Sequence, residues 1–459
     1  MRAFSLVSFL FVLLASHMAA ARPDGDAQEY IVIPTNPNDQ VAVNNTEYAL
    51  FTTSGFWPVR FYENSRSNTF WLWTTYLRDV EIDGVLRLNG VSGLSLNSRL
   101  EDELYVPTAP SKFRSSASPM VKSPHTTPLS IAKRAIELDY TTQKDAVVEL
   151  VSISQPNTVA DPTRFKDYVF ETGNGGRSIV YHVEQGVAFT GHPNEFLNVA
   201  DTHLLTQLSL ERGYPADVDT SDAPFHGTCT ADKAVGQDYG VSKRATLVVV
   251  RMADLTLMEM MCALAEVILD LEDYPERRKR AVVTMSLGGP LYDVTNVVHN
   301  MIDGLVGRII RFDVPVVVPA GNSADESGRE QIDCVPAIFA SDSNPLIVVG
   351  STNTTGYRSE FSQTGPQLTL YGVGEEVTCH SDPSGLPAIN KEGTSFPTAM
   401  VAGEIANLLS YDTVPFDTSD GNLVKNLREY LMNGDGSWER TPGIRSLWNG
   451  VTEANNPPS

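Results

Sequence analysis

Basic residues are scarce in this chain. It contains 34 Lys and Arg against 56 Asp and Glu in 459 residues, which gives a formal net charge of −22 and a pI near 4.7. Nucleic acids and anionic membrane surfaces would repel such a surface, so neither is an expected partner. The acidity also helps to keep a protein soluble, and by itself it indicates no particular function.

Long apolar runs are missing after the N-terminus. The N-terminal run extends from about Ala3 to Ala15, follows Arg2 and precedes small residues that end at Ala21. It is shorter than the roughly 20 residues needed to span a bilayer, and its pattern is typical of a secretory signal peptide. We predict that residues 1–21 are this signal and that the mature protein is secreted and extracellular. Sequons at Asn44 and Asn353 fit a secreted glycoprotein.

Cysteine is scarce as well, with four residues at positions 229, 262, 334 and 379. An even number in an oxidising compartment allows up to two disulfides, but the sequence does not determine their pairing. Cys229 lies three residues after His226, so a free thiol near that histidine stays open as an alternative.

The chain divides by composition into two parts and a linker. Residues 22–106 contain strand-like runs at 30–33, 48–51 and 85–88, which is enough for a small α+β unit. From Pro107 onward Ser, Pro, Thr and Lys dominate, so residues 107–139 are predicted to be an exposed linker.

Residues 140–459 show a different pattern, in which short apolar runs alternate with helical stretches. This pattern predicts an α/β fold with a mostly parallel central sheet and helices on both faces. One predicted helix covers residues 256–271. The predicted strands cover residues 178–181, 247–250, 281–284, 314–318 and 346–349. Sites in such sheets form at the carboxyl ends of the strands.

A serine and a histidine each begin a predicted helix. Ser395 stands in Gly-Thr-Ser, where the helix dipole and free backbone N–H groups favour a nucleophile. His226 stands in His-Gly-Thr, and a neutral imidazole is the commonest general base for a hydroxyl. Taken singly, each has a structural alternative, a helix-capping serine and a packed histidine.

Two further segments follow predicted strands. Asn322 ends Ala-Gly-Asn, and its amide is a candidate donor to an oxyanion, although turns also favour asparagine. Residues Ser286, Leu287, Gly288 and Gly289 offer an extended backbone edge on which a peptide could lie as an added strand.

These segments together resemble the subtilisin-like (subtilase) family of serine peptidases over about residues 148–409. In that family Gly-Thr-Ser carries the nucleophile, His-Gly-Thr the base and Ala-Gly-Asn the oxyanion donor. The order acid, base, nucleophile is also kept. The resemblance implies that residues 22–106 are an inhibitory pro-segment of a zymogen, with an accessory domain as the alternative.

The acid position departs from the family pattern. The family has Asp-Thr-Gly followed by His-Pro, whereas this chain has Glu184-Gln185-Gly186 followed by His192-Pro193. Glu184 is therefore predicted to orient His226 in place of aspartate, with Asp161, Asp167 and Asp201 as alternatives. Asp232, on the helix of His226, also replaces a glycine.

The sequence thus predicts a serine endopeptidase with catalytic residues Glu184, His226 and Ser395, and with protein or peptide substrates. The alternative is an impaired relative that binds peptides without cleaving them. No cofactor or metal site is identified in the sequence, although members of the family that it resembles often bind calcium.

Overall fold

The computed structural model describes residues 26–62, 70–102, 139–159, 161–221, 225–290, 294–380 and 389–458. The predicted signal peptide and nearly all of the predicted linker lie outside these residues. Within them, no helix is both long enough and apolar enough to cross a membrane.

The chain forms two compact units. The first contains residues up to Ser98 together with 293–298, and the second contains 99–292 and 299–459. The division at Ser98 lies a few residues before the boundary at 106 that composition suggests.

The first unit is a four-stranded antiparallel sheet with two helices, in the strand order β2-β3-β1-β4. Side chains from the strands and from both helices share one core, which includes Val32, Val43, Trp73 and Val85. The elements are β1 (Gln28–Pro34), α1 (Gln40–Ser54), β2 (Val59–Tyr62), β3 (Phe70–Leu77), α2 (Asp79–Leu86) and β4 (Val91–Leu96).

Two strand predictions in this unit are wrong. Residues 48–51 belong to α1, and residues 85–88 cover the end of α2 and the turn after it. In α1 the buried residues Val43, Thr46, Leu50 and Ser54 recur every three or four positions, which is the spacing of one helix face. Short apolar runs fit both helix and strand, so their length alone did not separate the two.

The second unit is built around a nine-stranded sheet with the order β19-β20-β16-β15-β13-β11-β8-β10-β9. All neighbours in it are parallel except β19 and β20. Its strands are β8 (Ile179–Glu184), β9 (Leu204–Leu205), β10 (Thr246–Arg251), β11 (Ala281–Met285), β13 (Val316–Pro319), β15 (Ile347–Thr352), β16 (Leu370–Val373), β19 (Ser437–Thr441) and β20 (Ile444–Leu447).

Smaller elements complete this unit. The short strands are β5 (Glu101–Asp102), β6 (Tyr140–Gln143), β7 (Tyr168–Glu171), β12 (Leu287–Pro290), β14 (Cys334–Val335), β17 (Val377–Cys379) and β18 (Ile389–Lys391). The helices are α3 (Val148–Ile153), α4 (Gln207–Arg212), α5 (His226–Val235), α6 (Leu257–Asp273), α7 (Asn296–Arg311), which begins in the first unit, α8 (Ser395–Ser410) and α9 (Leu423–Met432).

The central strands are apolar because both faces of the sheet are covered. Every residue of β11 and β13 is buried, as are all but the first residues of β8 and β10. Helices α5 and α8 are buried along their whole length. The predicted α/β fold class is confirmed, and each of the five predicted strands overlaps an observed one.

One disulfide forms among the four cysteines, between Cys229 of α5 and Cys379 of β17. Cys262 is a buried free thiol, and the buried Cys334 Sγ donates to the carbonyl of Ala320 at 3.7 Å. The alternative of a free thiol at Cys229 is therefore wrong.

Candidate active site

Neighbouring strands of the sheet bring the predicted site residues to one edge. Glu184 is the last residue of β8, Ser286 follows the end of β11, and Asn322 lies shortly after the end of β13. Strands β8, β11 and β13 are adjacent and parallel, so their carboxyl ends meet. His226 and Ser395 are the first residues of α5 and α8.

Glu184 lies against His226. Its Oε1 accepts a hydrogen bond from His226 Nδ1 at 2.7 Å, and its Oε2 accepts one from the backbone N–H of Gln185 at 2.6 Å. Both side chains of the pair are fully buried. A carboxylate on Nδ1 fixes the ring so that Nε2 is the nitrogen able to accept a proton. The longer glutamate thus reaches the imidazole in hydrogen-bonding geometry.

The alternative acids lie in other arrangements. Asp161 accepts hydrogen bonds from Thr163 in a short turn, and Asp167 pairs with Lys144 at 2.6 Å. Asp201 is exposed. None of the three has the hydrogen bond to His226 that Glu184 has.

Close packing at Gly227 holds α5 against the end of β8. A Cβ on Gly227 would lie 2.3 Å from the carbonyl oxygen of Gly186 and 3.1 Å from Glu184 Cγ. Gly186 itself has φ +104°, a conformation that L side chains rarely adopt. The close contacts at position 227 and the backbone conformation at position 186 explain why both residues are glycine.

The N-terminus of α5 is capped by two side chains that the sequence analysis missed. Ser221 Oγ accepts from Gly227 N at 3.0 Å, and Asp219 Oδ2 accepts from Thr228 N at 2.6 Å. Carboxylate and hydroxyl oxygens stabilise the free N–H groups and the positive end of a helix. The polar run Asp-Thr-Ser-Asp just before His226 was the available signal.

Ser395 and Ser286 are joined by two hydrogen bonds, each from a side-chain hydroxyl to the backbone carbonyl of the other residue. Ser395 Oγ donates to the carbonyl of Ser286 at 3.2 Å, and Ser286 Oγ donates to the carbonyl of Ser395 at 3.0 Å. The reciprocal pair fixes the first residue of α8 beside the strand that follows Ser286. Ser395 is fully buried, like Glu184 and His226.

The side-chain amide of Asn322 is bound to the protein through its oxygen. Its Oδ1 accepts from the backbone N–H and from the hydroxyl of Thr394, both at 2.9 Å. These two donors fix the amide orientation. Nδ2 is buried and has no hydrogen-bond partner within the described residues. A buried donor beside Ser395 is thus available to an added acceptor.

The predicted peptide-binding edge is paired with another segment of the same unit. In β12, Leu287 pairs with Asp102 and Gly288 with Glu101, antiparallel. On the other side of this segment, Leu100 N donates to the carbonyl of Leu255 at 2.8 Å. Residues 99–102 therefore lie as an extended strand between two backbone edges.

The second of these edges, Leu255 and Thr256, was not predicted, because nothing in its residue types marks it. Thr256 also caps α6, through its hydroxyl and Glu259 N at 3.3 Å. Packing against residues 99–102 explains why the first edge, Ser286–Gly289, contains glycine. A Cβ on Gly289 would lie 2.9 Å from Leu100 Cδ2, so the missing side chain makes room for a leucine on the added strand.

His182 lies behind the Glu184–His226 pair and was also missed. It is fully buried on β8, and its Nε2 donates to the carbonyl of Gly227 at 3.0 Å. Burial lowers the pKa of His182 to about 4, because the apolar surroundings disfavour the charged ring.

We therefore expect His182 to make the fold sensitive to acid. The pKa of His182 in the folded protein lies below its unfolded value. The stability that the neutral ring contributes is therefore complete above pH about 6.5 and is lost as the pH falls through 4. The His182→Gln variant keeps a donor for the carbonyl of Gly227 but has no ring to protonate. As the pH falls between these values, its free energy of unfolding should decrease by about 3 kcal/mol less than that of the parent. Urea unfolding at several pH values measures this, in a Ser395→Ala background that prevents self-cleavage. Parallel curves for the two proteins would contradict the assignment.

The chain matches known proteins across this site. The profile of the subtilase family matches residues 194–434, which include His226, Asn322 and Ser395, whereas Glu184 precedes them. The subtilisin-like serine protease Pen ch 13 of Penicillium rubens is 27% identical over 62% of this chain and 64% of its own length. This match thus spans slightly less than two thirds of that relative.

Two further comparisons agree. Subtilisin-like protease 2 of Trichophyton rubrum is 26% identical over 82% of this chain and 81% of its own length. The crystal structure of a cold adapted subtilisin-like serine proteinase superposes with a TM-score of 0.50 at 23% identity, over 67% of this chain and 99% of that one, which concerns the fold alone. Because the family profile covers more than half of the chain, the protein belongs to the subtilase family of serine peptidases.

Proposed function

We propose that the protein is a secreted serine endopeptidase that uses Ser395, His226 and Glu184. The observation that carries the proposal is the 2.7 Å hydrogen bond between His226 Nδ1 and Glu184 Oε1. It gives the imidazole the tautomer that a general base requires, with glutamate in the place of aspartate.

The proposed reaction forms and then hydrolyses an acyl-enzyme. Ser395 Oγ attacks the carbonyl carbon of the scissile bond while His226 Nε2 takes the hydroxyl proton. The carbon–nitrogen bond then breaks, and the imidazolium gives this proton to the leaving amine. A water attacks the acyl carbon in the same way, which releases the acid product and restores Ser395. Glu184 stays ionised and stabilises the imidazolium at each stage.

Asn322 Nδ2 is the proposed side-chain donor to the oxyanion, supported by its burial and by its fixed amide orientation. Asn322→Ala should lower kcat about 10²–10³-fold with little change in KM, because the charge that it stabilises develops only in the transition state. Asn426→Ala, at an amide on α9 that binds the carbonyl of Asp417, is a control that should keep full activity. Steady-state kinetics on a fluorogenic peptide measure both, and an equal rise in KM would contradict the role.

Peptide substrates are proposed to bind as an added strand on Ser286–Gly289, with Leu255 and Thr256 on the other side. The backbone pairing of residues 99–102 with both edges supports this mode. The same pairing supports an inhibitory role for the N-terminal segment, because a substrate would have to pair with the backbone of Leu287 and Gly288, which Glu101 and Asp102 already occupy. We therefore propose a zymogen that is activated by cleavage after this segment.

Fluorophosphonate labelling of the secreted full-length protein tests the function. Labelling of the wild type and of Glu184→Asp, but not of Ser395→Ala, is expected, together with release of an N-terminal fragment from the wild type only. Wild type that does not label even after removal of the N-terminal segment, while Glu184→Asp does, would contradict an active enzyme. That result would favour the alternative of a peptide-binding relative.

A further inference from the structure

A second cluster of chemically active side chains lies at the far end of α5 from His226. Glu195 precedes β9, Asp238 follows α5, and His380 follows β17. One carboxylate oxygen from each acid and one ring nitrogen of His380 lie within 4.8 Å of one another. The three residues are far apart in sequence, so the fold alone brings them together.

Asp232 extends this cluster from inside the protein. It is fully buried on α5, and its Oδ2 accepts from His380 Nδ1 at 2.8 Å. Its Oδ1 has no N–H or hydroxyl donor among the described residues, and its neighbour there is the Glu195 carboxyl group, which can hydrogen-bond to it when protonated. A Cβ on Gly236 would lie 1.9 Å from this Oδ1 and 2.3 Å from Glu195 Oε1, so the two oxygens are close neighbours.

Carboxylate oxygens that meet in a buried place either share a proton or are stabilised by a positive charge close to them. The two nearby lysines bind other groups. Lys233 Nζ pairs with Glu149 at 2.8 Å, and Lys243 Nζ donates to the carbonyls of Gln237 and Gly240 at 2.7 and 3.0 Å. Both ammonium groups interact electrostatically with the cluster, but neither donates a hydrogen bond to its carboxylates among the described residues.

The hydrogen bonding of His380 fits a metal ligand. Its Nδ1–H is held by the Asp232 carboxylate, which leaves Nε2 as the nitrogen that can coordinate an ion. A ligand histidine whose other nitrogen donates to a carboxylate is the usual arrangement at zinc sites. Two carboxylates and one imidazole suit zinc, whereas calcium takes six to eight oxygen ligands.

We propose that Glu195, Asp238 and His380 bind one zinc ion and that Asp232 orients His380 for it. His380 directly follows Cys379, which is joined to Cys229 on α5. The ion would therefore link the segments around residues 195, 238 and 380 next to α5, the helix whose first residue is His226. The site is separate from the peptidase residues, and binding there does not depend on the proposed reaction.

The test uses the full-length protein with Ser395→Ala as the common background, so that self-cleavage does not interfere. Zinc chloride is the probe, in a buffer that does not chelate, with stoichiometry from elemental analysis after dialysis and affinity from competition with a chelator. We expect one zinc per chain and binding weakened at least about tenfold in Asp238→Asn and in His380→Gln. Saturating zinc should raise the Tm of the parent but not of His380→Gln.

Matched controls separate the site from general surface binding. Asp201 is another exposed aspartate, and His299 is another half-buried histidine that packs on an aromatic ring, Phe339. Asp201→Asn and His299→Gln should bind zinc like the parent. The proposal is overturned by a parent that takes up no stoichiometric zinc, in which case the oxygens of Asp232 and Glu195 share a proton instead. It is equally overturned by unchanged affinity in the Asp238→Asn and His380→Gln variants.

Discussion

Replacing Ser395 with alanine is expected to lower kcat by about 10⁶-fold while leaving KM nearly unchanged. In the proposed mechanism the hydroxyl oxygen of Ser395 forms the acyl bond, and loss of the nucleophile in subtilisin, a member of this family, costs about this much. Asn322 and the substrate edge stay in place in the variant. A residual rate about 10³–10⁴ above the reaction in water is therefore expected to remain.

The measurement is peptide hydrolysis by the purified protein after removal of the N-terminal segment. Ser410→Ala is the matched control, because Ser410 is another buried serine at the opposite end of α8. It should keep full activity. Activity in Ser395→Ala that equals that of the wild type would show that another group is the nucleophile.

Replacing Glu184 with glutamine is expected to lower kcat by about 10⁴-fold. The amide has nearly the shape of the carboxylate, but it carries no charge and can donate to Nδ1, which favours the wrong tautomer of His226. Because Glu184 acts through His226 and does not reach the peptide, KM should change little.

The Glu184→Asp variant separates the effect of the carboxylate charge from the effect of its distance to His226. Glu184→Asp keeps the charge but withdraws the carboxylate by about 1.5 Å, the length of one carbon–carbon bond. The 2.7 Å contact with Nδ1 would lengthen, and a loss of about 10² in kcat is expected. Kinetics of both variants, with Glu259→Gln as a buried control on α6, measure the effect. A gain of activity in Glu184→Asp would show that glutamate impairs this enzyme.

Much of the larger unit could be predicted from its sequence. Buried parallel strands carry apolar residues on both faces, so their runs are visible as patterns, and β8, β10, β11, β13 and β15 were all found. The first unit was harder, because the short run 48–51 fits a strand as well as it fits one turn of α1. Only the packing of Val43 and Leu50 in one core distinguishes the two.

The site divides in the same way. Ser395, His226 and Asn322 stand in motifs whose residue types carry the chemistry, so the sequence indicated them directly. Asp219, His182 and the edge at Leu255 have no such motif. Asp219 is important through its contact with α5, which begins a few residues later. His182 and Leu255 are important through contacts with residues that lie far from them in the chain.

The sequence by itself determined the family and the fold class and predicted the nucleophile and base, because these depend on local patterns of residue type. Only the tertiary structure decided whether Glu184 reaches His226, since the outcome depends on the position of β8 relative to α5 to within about 1 Å. The structure likewise decided the partner of Cys229 and the meeting of Glu195, Asp238 and His380. Such contacts join residues that are distant in sequence, and spacing along the chain does not specify them.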